Sequence, residues 1–235
     1  MINLRPIDLE VGTHKHAEGS CLVRWGDTHV LCCASLSTRL PPFLRGSGEG
    51  WVTAEYGMLP RSTTERIDRQ RGNHSGRSQE ISRLIGRSLR SAVNRRKLGE
   101  IEIKIDCDVL QADGGTRVAA IVGGFVAMAQ AVDHLVDLRR VSITPIVRMV
   151  GAISGGMVDG NPTLDLDYEQ DSQAQADGSF IFDDKGQIID LHLMSEQVPV
   201  AHEDMQTLLS RSRTAVCEVI IPTQRDALRG CRALP

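Results

Sequence analysis

Apolar and polar positions repeat with period two in some stretches of the chain and with helical spacing in others, and the two periods divide it into elements. SCLVRW and THVLCCASL flank Gly26-Asp27, and a Gly-Asp pair between strand-like runs predicts a hairpin. WVTAEYGML (51–59) predicts another strand, and IEIKIDCDVL (101–110) alternates apolar and polar residues as a half-buried strand does. From Ser78 the pattern turns helical. Ile81, Leu84, Ile85, Leu89, Ala92 and Val93 recur at i, i+3 or i+4 and share one face. After Arg117, VAAIVGGFVAMAQAV is apolar all round, which predicts a helix buried on most sides.

The second half repeats the theme. RMVGAISGGMV (148–158) and PTLDLDYE (162–169) read as strands around Asp159-Gly160-Asn161. SFIF and QIIDLHL form another pair around Asp183-Asp184-Lys185-Gly186. A last amphipathic helix carries Met205, Leu208, Leu209, Ser212 and Val216 on one face, with Pro222 expected to close it. Strand hairpins with long helices between them predict an α+β fold with mixed or antiparallel sheets, not a doubly wound parallel one. No linker or low-complexity segment divides the 235 residues, so a single domain over 1–235 is expected.

Composition narrows the class. Aromatic residues are only 3% of a chain that is 41% hydrophobic, so the core must rest on Val, Ile, Leu and Ala. The net charge of −3 offers polyanions no general attraction, and any nucleic-acid contact needs a local basic patch. Residues 60–77 supply one: Ile67 is the only aliphatic residue there, and Arg61, Arg66, Arg69 and Arg71 crowd a loop. The six cysteines show no C-x-x-C spacing, and four lie in apolar runs as small core residues. His14 and His16 have the spacing of a metal pair, but a structural role is expected for them. No signal peptide is read at the N-terminus, and no apolar run is expected to reach the length of a membrane span. These readings point to a soluble, reduced, cytoplasmic protein.

The chemistry concentrates at DGGTR (113–117), a strand-to-helix corner. Gly114-Gly115 permits positive φ and close approach of a ligand. The helix that starts near Thr116-Arg117 offers free N–H groups and its dipole to an anion, and Arg117 adds a fork that fits phosphate oxygens. An ordinary turn with Thr116 as cap would look the same from this segment alone. The P-loop pattern G-K-[ST] is absent. Ser75-Gly76-Arg77 puts a second arginine at the mouth of the preceding helix. Asp171 and Asp177, six residues apart in DYEQDSQAQAD, could hold one Mg²⁺, move protons, or simply cap turns.

Taken together, long stretches in one order carry a resemblance. They are Leu4-Arg5-Pro6, His16-Ala17-Glu18-Gly19-Ser20, GDTHVLC, PPFLRGSGEGWVTAEYGMLPRST, SGRSQEISRLIGRSLR, IDCDVLQADGGTR and DYEQDSQAQAD. The sequence resembles the ribonuclease PH family, phosphorolytic 3′ exoribonucleases also described as tRNA nucleotidyltransferases. The resemblance implies a ribosomal protein S5 domain 2-like fold with ring-forming subunits, a hexamer built as a trimer of dimers. It implies trimming of tRNA precursors, and of rRNA, in the cytoplasm, with inorganic phosphate as co-substrate and Mg²⁺ or Mn²⁺ as cofactor. Carried onto this chain, the phosphate site falls on Arg77, Gly115, Thr116 and Arg117. The acidic, metal-holding and catalytic pair falls on Asp171 and Asp177, with Asp113 a weaker candidate that orients Arg117 or caps a helix. The basic loop falls on Arg61, Arg66 and Arg69, for assembly and RNA binding. The family usually has further residues before Leu4-Arg5-Pro6. Val118, Gln175 and Gly178-Ser179 depart from its usual Thr, Glu and Met-Asn, and HLMSEQVPV replaces a Gly-Thr-rich stretch. The alternative implied by those departures is a catalytically weakened, ring-forming RNA-binding subunit of exosome type.

Overall fold

The computed structural model describes residues 3–69, 75–195 and 198–235. Two sheets carry the chain. The first holds β1 (Ile7–Val11), β2 (Gly19–Trp25), β3 (Thr28–Ser37), β4 (Trp51–Met58) and β5 (Glu102–Gln111) in the order β1-β2-β3-β5-β4. Its pairs are antiparallel except β4 with β5, which run parallel. A parallel pair needs a long crossover, and here it contains α1 (Gly76–Ser91) and the short α2 (Arg95–Leu98). After β5 comes α3 (Thr116–Asp137). The second sheet holds β6 (Val150–Val158), β7 (Asn161–Leu164), β8 (Ala176–Asp183) and β9 (Ile188–Ser195), all antiparallel, in the order β7-β6-β8-β9. The short α4 (Tyr168–Gln173) joins β7 to β8, and α5 (His202–Ala215) and α6 (Ile221–Ala227) end the chain. The expected hairpins form at Gly26-Asp27, Asp159-Gly160 and 183–186, and the fold is α+β with one mixed and one antiparallel sheet.

Helix α3 is the shared core of both sheets. It packs on β2, β3 and β5 from one side and on β6 from the other. Gly123 makes the first approach possible, since a Cβ there would collide with Val23 Cγ2 and lie 3.0 Å from Cys32 Sγ. On the other side Gln224, fully buried, donates Nε2 to Val122 O (3.1 Å) and Val150 O (3.0 Å), tying α3 to β6. Aliphatic side chains dominate the core as expected, joined by the fully buried Trp25, Phe125, Phe180 and Phe182. All six cysteines are free thiols; Cys21, Cys32 and Cys107 are buried, and burial pushes the Cys21 thiol up to about 12.

Three expectations need correction. The strand expected over 162–169 stops at Leu164, because Asp165 turns with φ 59° and Asp167 caps α4 through a capping box with Gln170. Pro222 does not end the last helix. A π-helical turn at Val216–Ile220 resets the hydrogen-bond ladder, so the proline sits in the first turn of α6, where its missing N–H is tolerated. Finally, α3 has 22 residues and a window of mean hydropathy 1.5, long and apolar enough to cross a membrane by length and composition. It is instead a core helix, with 83% of that window buried inside the protein.

Candidate active site

The corner after β5 is shaped by two glycines. Gly114 (φ 72°) and Gly115 (φ 65°) are both left-handed. A side chain on Gly114 would run into Leu166 O and lie 2.7 Å from Asp167 C. Gly115, not Thr116, is the N-cap of α3, and no side chain caps it. The first intrahelical bond runs from Ala119 N to Gly115 O (3.0 Å), so the amides of Thr116, Arg117 and Val118 are left at the positive end of the helix dipole. Thr116 Oγ1 hydrogen-bonds the Tyr56 hydroxyl at 2.8 Å. Arg117 is mostly buried and reaches Glu80 Oε1 at 3.9 Å.

Arg77 stands in the first turn of α1, behind the N-cap Ser75, whose Oγ accepts from Ser78 N at 3.1 Å. It lines a cleft of about 400 Å³ with Tyr56, Ser78 and Arg66. Arg77 and Arg117 act on the same groups. Burial raises the Tyr56 hydroxyl, while its bond to Thr116 and the charges of Arg77 and Arg117 pull it down. The Asp171 carboxyl is raised first by burial and then by Asp177, with Arg77 and Arg117 opposing. The four charged residues named from the sequence therefore share one electrostatic neighbourhood, although Asp171 lies on α4 and Asp177 on β8.

The basic loop begins beside this corner because Ala112 N donates to Ser62 O (2.8 Å). Arg61, Arg66 and Arg69 are exposed, Arg66 reaches the Arg77 cleft, and Arg71 lies outside the described residues. His14 and His16 are exposed, and among the described residues no group of three or more His, Cys, Asp or Glu could hold a metal ion. Asp113 does not orient Arg117. Its Oδ2 lies 3.6 Å from Arg5 and its Oδ1 accepts from Tyr168 N (3.2 Å), capping α4.

Sequence reasoning passed over the residues that hold the site together. Arg5 donates its backbone N to Asp165 Oδ2 (2.7 Å), its Nε and Nη2 to Asp165 Oδ1 (3.1 and 2.8 Å), Nη1 to Asp113 O, and Nη2 to Leu166 O (3.3 Å). Thr28 Oγ1 donates to Gly114 O (2.6 Å) and accepts from Asp113 N (2.9 Å). This latch joins the glycine corner to the loop that carries the acids. Arg5 and Thr28 lie in stretches that carried the family resemblance, with no role read for either, and Asp165 stood as an acid in a strand-like apolar stretch. The departures from the family pattern also find places: Gln175 accepts from Gly160 N (2.9 Å), and a Cβ on Gly178 would collide with His192 O. Val118 is buried behind the corner.

Comparison with known proteins identifies the family. The family model "3′ exoribonuclease family, domain 1" matches residues 3–132, and "domain 2" matches 148–215. A protein named Ribonuclease PH from Rhodospirillum rubrum is 51% identical over 232 residues, 98% of this chain and 96% of the relative. One of the same name from Maricaulis maris is 48% identical over 229 residues, 97% and 96% of the two chains. Among solved structures, rice (Oryza sativa) Rrp46 superposes with TM-score 0.75 at 18% identity over 96% of each chain. An Archaeoglobus fulgidus exosome, solved with RNA bound to the active site, gives 0.79 at 18% identity over 94% of this chain and 89% of that one. At such identities the structural neighbours speak for the fold alone. The sequence matches go further: with both domain models matched in order and about half the residues shared with relatives over nearly their full length, the chain belongs to the RNase PH family of 3′ exoribonucleases.

Proposed function

We propose that the protein is a phosphate-dependent 3′-to-5′ exoribonuclease that trims the 3′ ends of tRNA precursors, and of rRNA, and adds nucleotides from diphosphates in reverse. The observation that carries this reading is the meeting of Arg77, Arg117 and the uncapped amides of α3 with the carboxylates Asp171 and Asp177. An attacking phosphate and a scissile phosphodiester repel each other, and a site that joins them must supply cations and fixed dipoles. Arg77, Gly115, Thr116 and Arg117 hold the attacking anion. Its oxygen bonds to the terminal phosphorus and the bond from that phosphorus to the 3′ oxygen of the preceding nucleotide breaks. The proton carried by hydrogen phosphate passes to that 3′ oxygen with Asp177 as relay, and a nucleoside diphosphate leaves.

Two carboxylates with too few ligands for a closed cage fit Mg²⁺ or Mn²⁺, which is often held by one or two carboxylates together with substrate phosphates. Burial first, and then Asp177, raise the Asp171 carboxyl against the pull of Arg77 and Arg117. A cation on Asp171 and Asp177 would neutralise charge on the transferring phosphoryl group.

The wider reading follows the family. The chain acts as one unit around α3, works in the cytoplasm with its free thiols, and assembles into a hexameric ring with Arg61, Arg66 and Arg69 on the RNA path or at subunit contacts. The exosome-type alternative, a ring subunit without catalysis, is disfavoured because Arg77, Arg117, Asp171 and Asp177 are all present. The deciding experiment incubates a short RNA with and without inorganic phosphate. Nucleoside diphosphate release only with phosphate is expected. Monophosphate release in phosphate-free buffer would overturn the reading in favour of a hydrolase.

A further inference from the structure

Tyr56 stands on β4 with 5% of its surface exposed, and three contacts fix its place. Its backbone N donates to Ser82 Oγ (2.9 Å), and that hydroxyl donates in turn to Ser78 O (2.7 Å), which pins β4 to the first turns of α1. Tyr56 pairs in register with Cys107 of β5, the strand that runs into the glycine corner. Its hydroxyl crosses to the start of α3 and meets Thr116 Oγ1 at 2.8 Å. One residue thus ties the helix that opens with Arg77 to the helix that opens with Arg117.

The direction of the hydroxyl–hydroxyl bond decides what Thr116 can do. Each hydroxyl has one proton to give, and a phenol is the stronger acid and the better donor of the two. Tyr56 keeps its proton at neutral pH: burial raises the phenol, against the pull of the Thr116 bond and of the Arg77 and Arg117 charges. With Tyr56 donating, Thr116 Oγ1 is the acceptor and its own proton is left over. Among the described residues the Thr116 hydroxyl has no second partner. It sits half-buried on the first residue of α3, beside amides that no side chain caps. The opposite direction would commit the Thr116 proton to Tyr56 and leave only lone pairs for an incoming anion, which they repel.

We propose that Tyr56 is a positioning residue of the phosphate site: by donating to Thr116 Oγ1 it turns the Thr116 proton outward, as a donor set in place before the attacking phosphate arrives. Two hydroxyls in series polarise each other, so the outer one donates more strongly than it would alone. A donor already aimed at the anion costs no reorganisation when the anion binds. Tyr56 lines the cleft of about 400 Å³ with Arg66 and Arg77, but its hydroxyl acts through Thr116. The inference rests on the phosphorolytic reading for the identity of the anion. It deepens that reading by naming a residue that sets the affinity for inorganic phosphate and not the affinity for RNA.

The test compares the full-chain wild type with Tyr56→Phe, Thr116→Val and the double variant. Tyr56→Phe keeps the buried ring and removes only the hydroxyl. Phosphate affinity is read by equilibrium dialysis against labelled inorganic phosphate without RNA, and again as the phosphate KM of diphosphate release. Tyr56→Phe should weaken phosphate about three- to tenfold, the range of one net hydrogen bond. Its affinity for a short oligoribonucleotide in phosphate-free buffer should match the wild type. Thr116→Val should weaken phosphate about tenfold, and Thr116→Ser, which restores the hydroxyl, should recover it. The double variant should bind phosphate no worse than Thr116→Val, because Tyr56 acts through the hydroxyl that variant lacks. Unchanged phosphate affinity in either single variant would overturn the proposal, and a lowered urea midpoint of Tyr56→Phe beside it would assign the phenol to folding alone. A double variant weaker than Thr116→Val by the full factor of Tyr56→Phe would also overturn it, since the two hydroxyls would then act separately. If the four proteins bind phosphate in the expected pattern but the wild type releases no diphosphate from RNA, it is the phosphorolytic reading that fails and this assignment stands.

Discussion

The cationic half of the site stands on the N-terminal turns of two long helices, α1 and α3, whereas the acidic half stands on the six-residue α4 and the first residues of β8. Sixteen and 22 residues of packed helix hold Arg77 and Arg117 in place whatever happens elsewhere in the loop region. A helix as short as α4 does not persist alone. It needs its capping box and the cap from Asp113, and both depend on a loop that Arg5 latches across 160 residues of sequence. One half is thus made by local elements, and the other exists only once the two sheets have met.

The sharpest break between the halves is in turnover. Asp177→Asn keeps shape and removes the charge that would hold the divalent cation, a contribution of several kcal/mol to such reactions. A loss of about a thousandfold or more in diphosphate release is expected, with RNA affinity retained. Arg117→Ala strikes the cationic half, where each charge-assisted hydrogen bond is worth about 1.5–3 kcal/mol, and should cost about tenfold to a hundredfold per bond. Its loss should show as a raised phosphate KM, while that of Asp177→Asn should appear in kcat. If both variants fail in the same parameter, the division of labour is wrong.

The next largest effect is on stability. Asp165 is buried, with its side chain 2% exposed, and it carries most of the Arg5 latch. Asparagine tolerates the φ of 59° at this position, so Asp165→Asn changes the charge and little of the backbone. Breaking one side of a buried pair costs about 3–5 kcal/mol. The lower end is expected, since Arg5 is 19% exposed and keeps Asp113. Urea unfolding measures it. An unchanged midpoint would mean that the acidic half does not need the latch.

The same division decides what the sequence could reveal. The β5–α3 corner was readable because its signals are contiguous: alternation up to Leu110, two glycines, then an apolar helix. The first-sheet hairpin and α1 were readable for the same reason. The stretch 162–169 was misread as strand because LDLDY alternates like one; β7 ends at Leu164 where Asp165 turns with φ 59° and Asp167 caps α4, and the pairing that holds Asp165 to Arg5 is encoded by no local pattern. Pro222 was misread because the π-helical turn before it depends on packing: Val216, Ile220 and Ile221 all press against β6 at Gly151. The spacing of Asp171 and Asp177 left a working pair and turn caps equally open, and the resemblance favoured the pair. Their shared field with Arg77 and Arg117 came only from the assembled fold.

The smallest effect lies inside the acidic half and tests whether it is a strained site or a settled ion pair. The Asp171 carboxyl is raised from its ordinary 3.8, so the folded chain holds the proton more tightly than the unfolded one. The carboxyl's contribution to stability is then greatest at low pH, where both states are protonated. It falls as pH rises from 3.8 towards the raised folded value, and above that the loss is complete. Asp171→Asn stays neutral and escapes this penalty. The variant should be more stable than the wild type at pH 7, by an amount that shrinks to nothing as pH drops below about 3.8. Mg²⁺ should raise the wild-type midpoint at pH 7 by binding the folded state, and raise that of the variant less. The urea midpoints of both proteins at neutral and acid pH, with and without Mg²⁺, give the answer. A variant less stable than the wild type at pH 7, without metal, would show that Arg77 and Arg117 already satisfy Asp171. The carboxylate would then be a structural partner of the cationic half, and the cation site would have to be sought on Asp177 and the RNA alone.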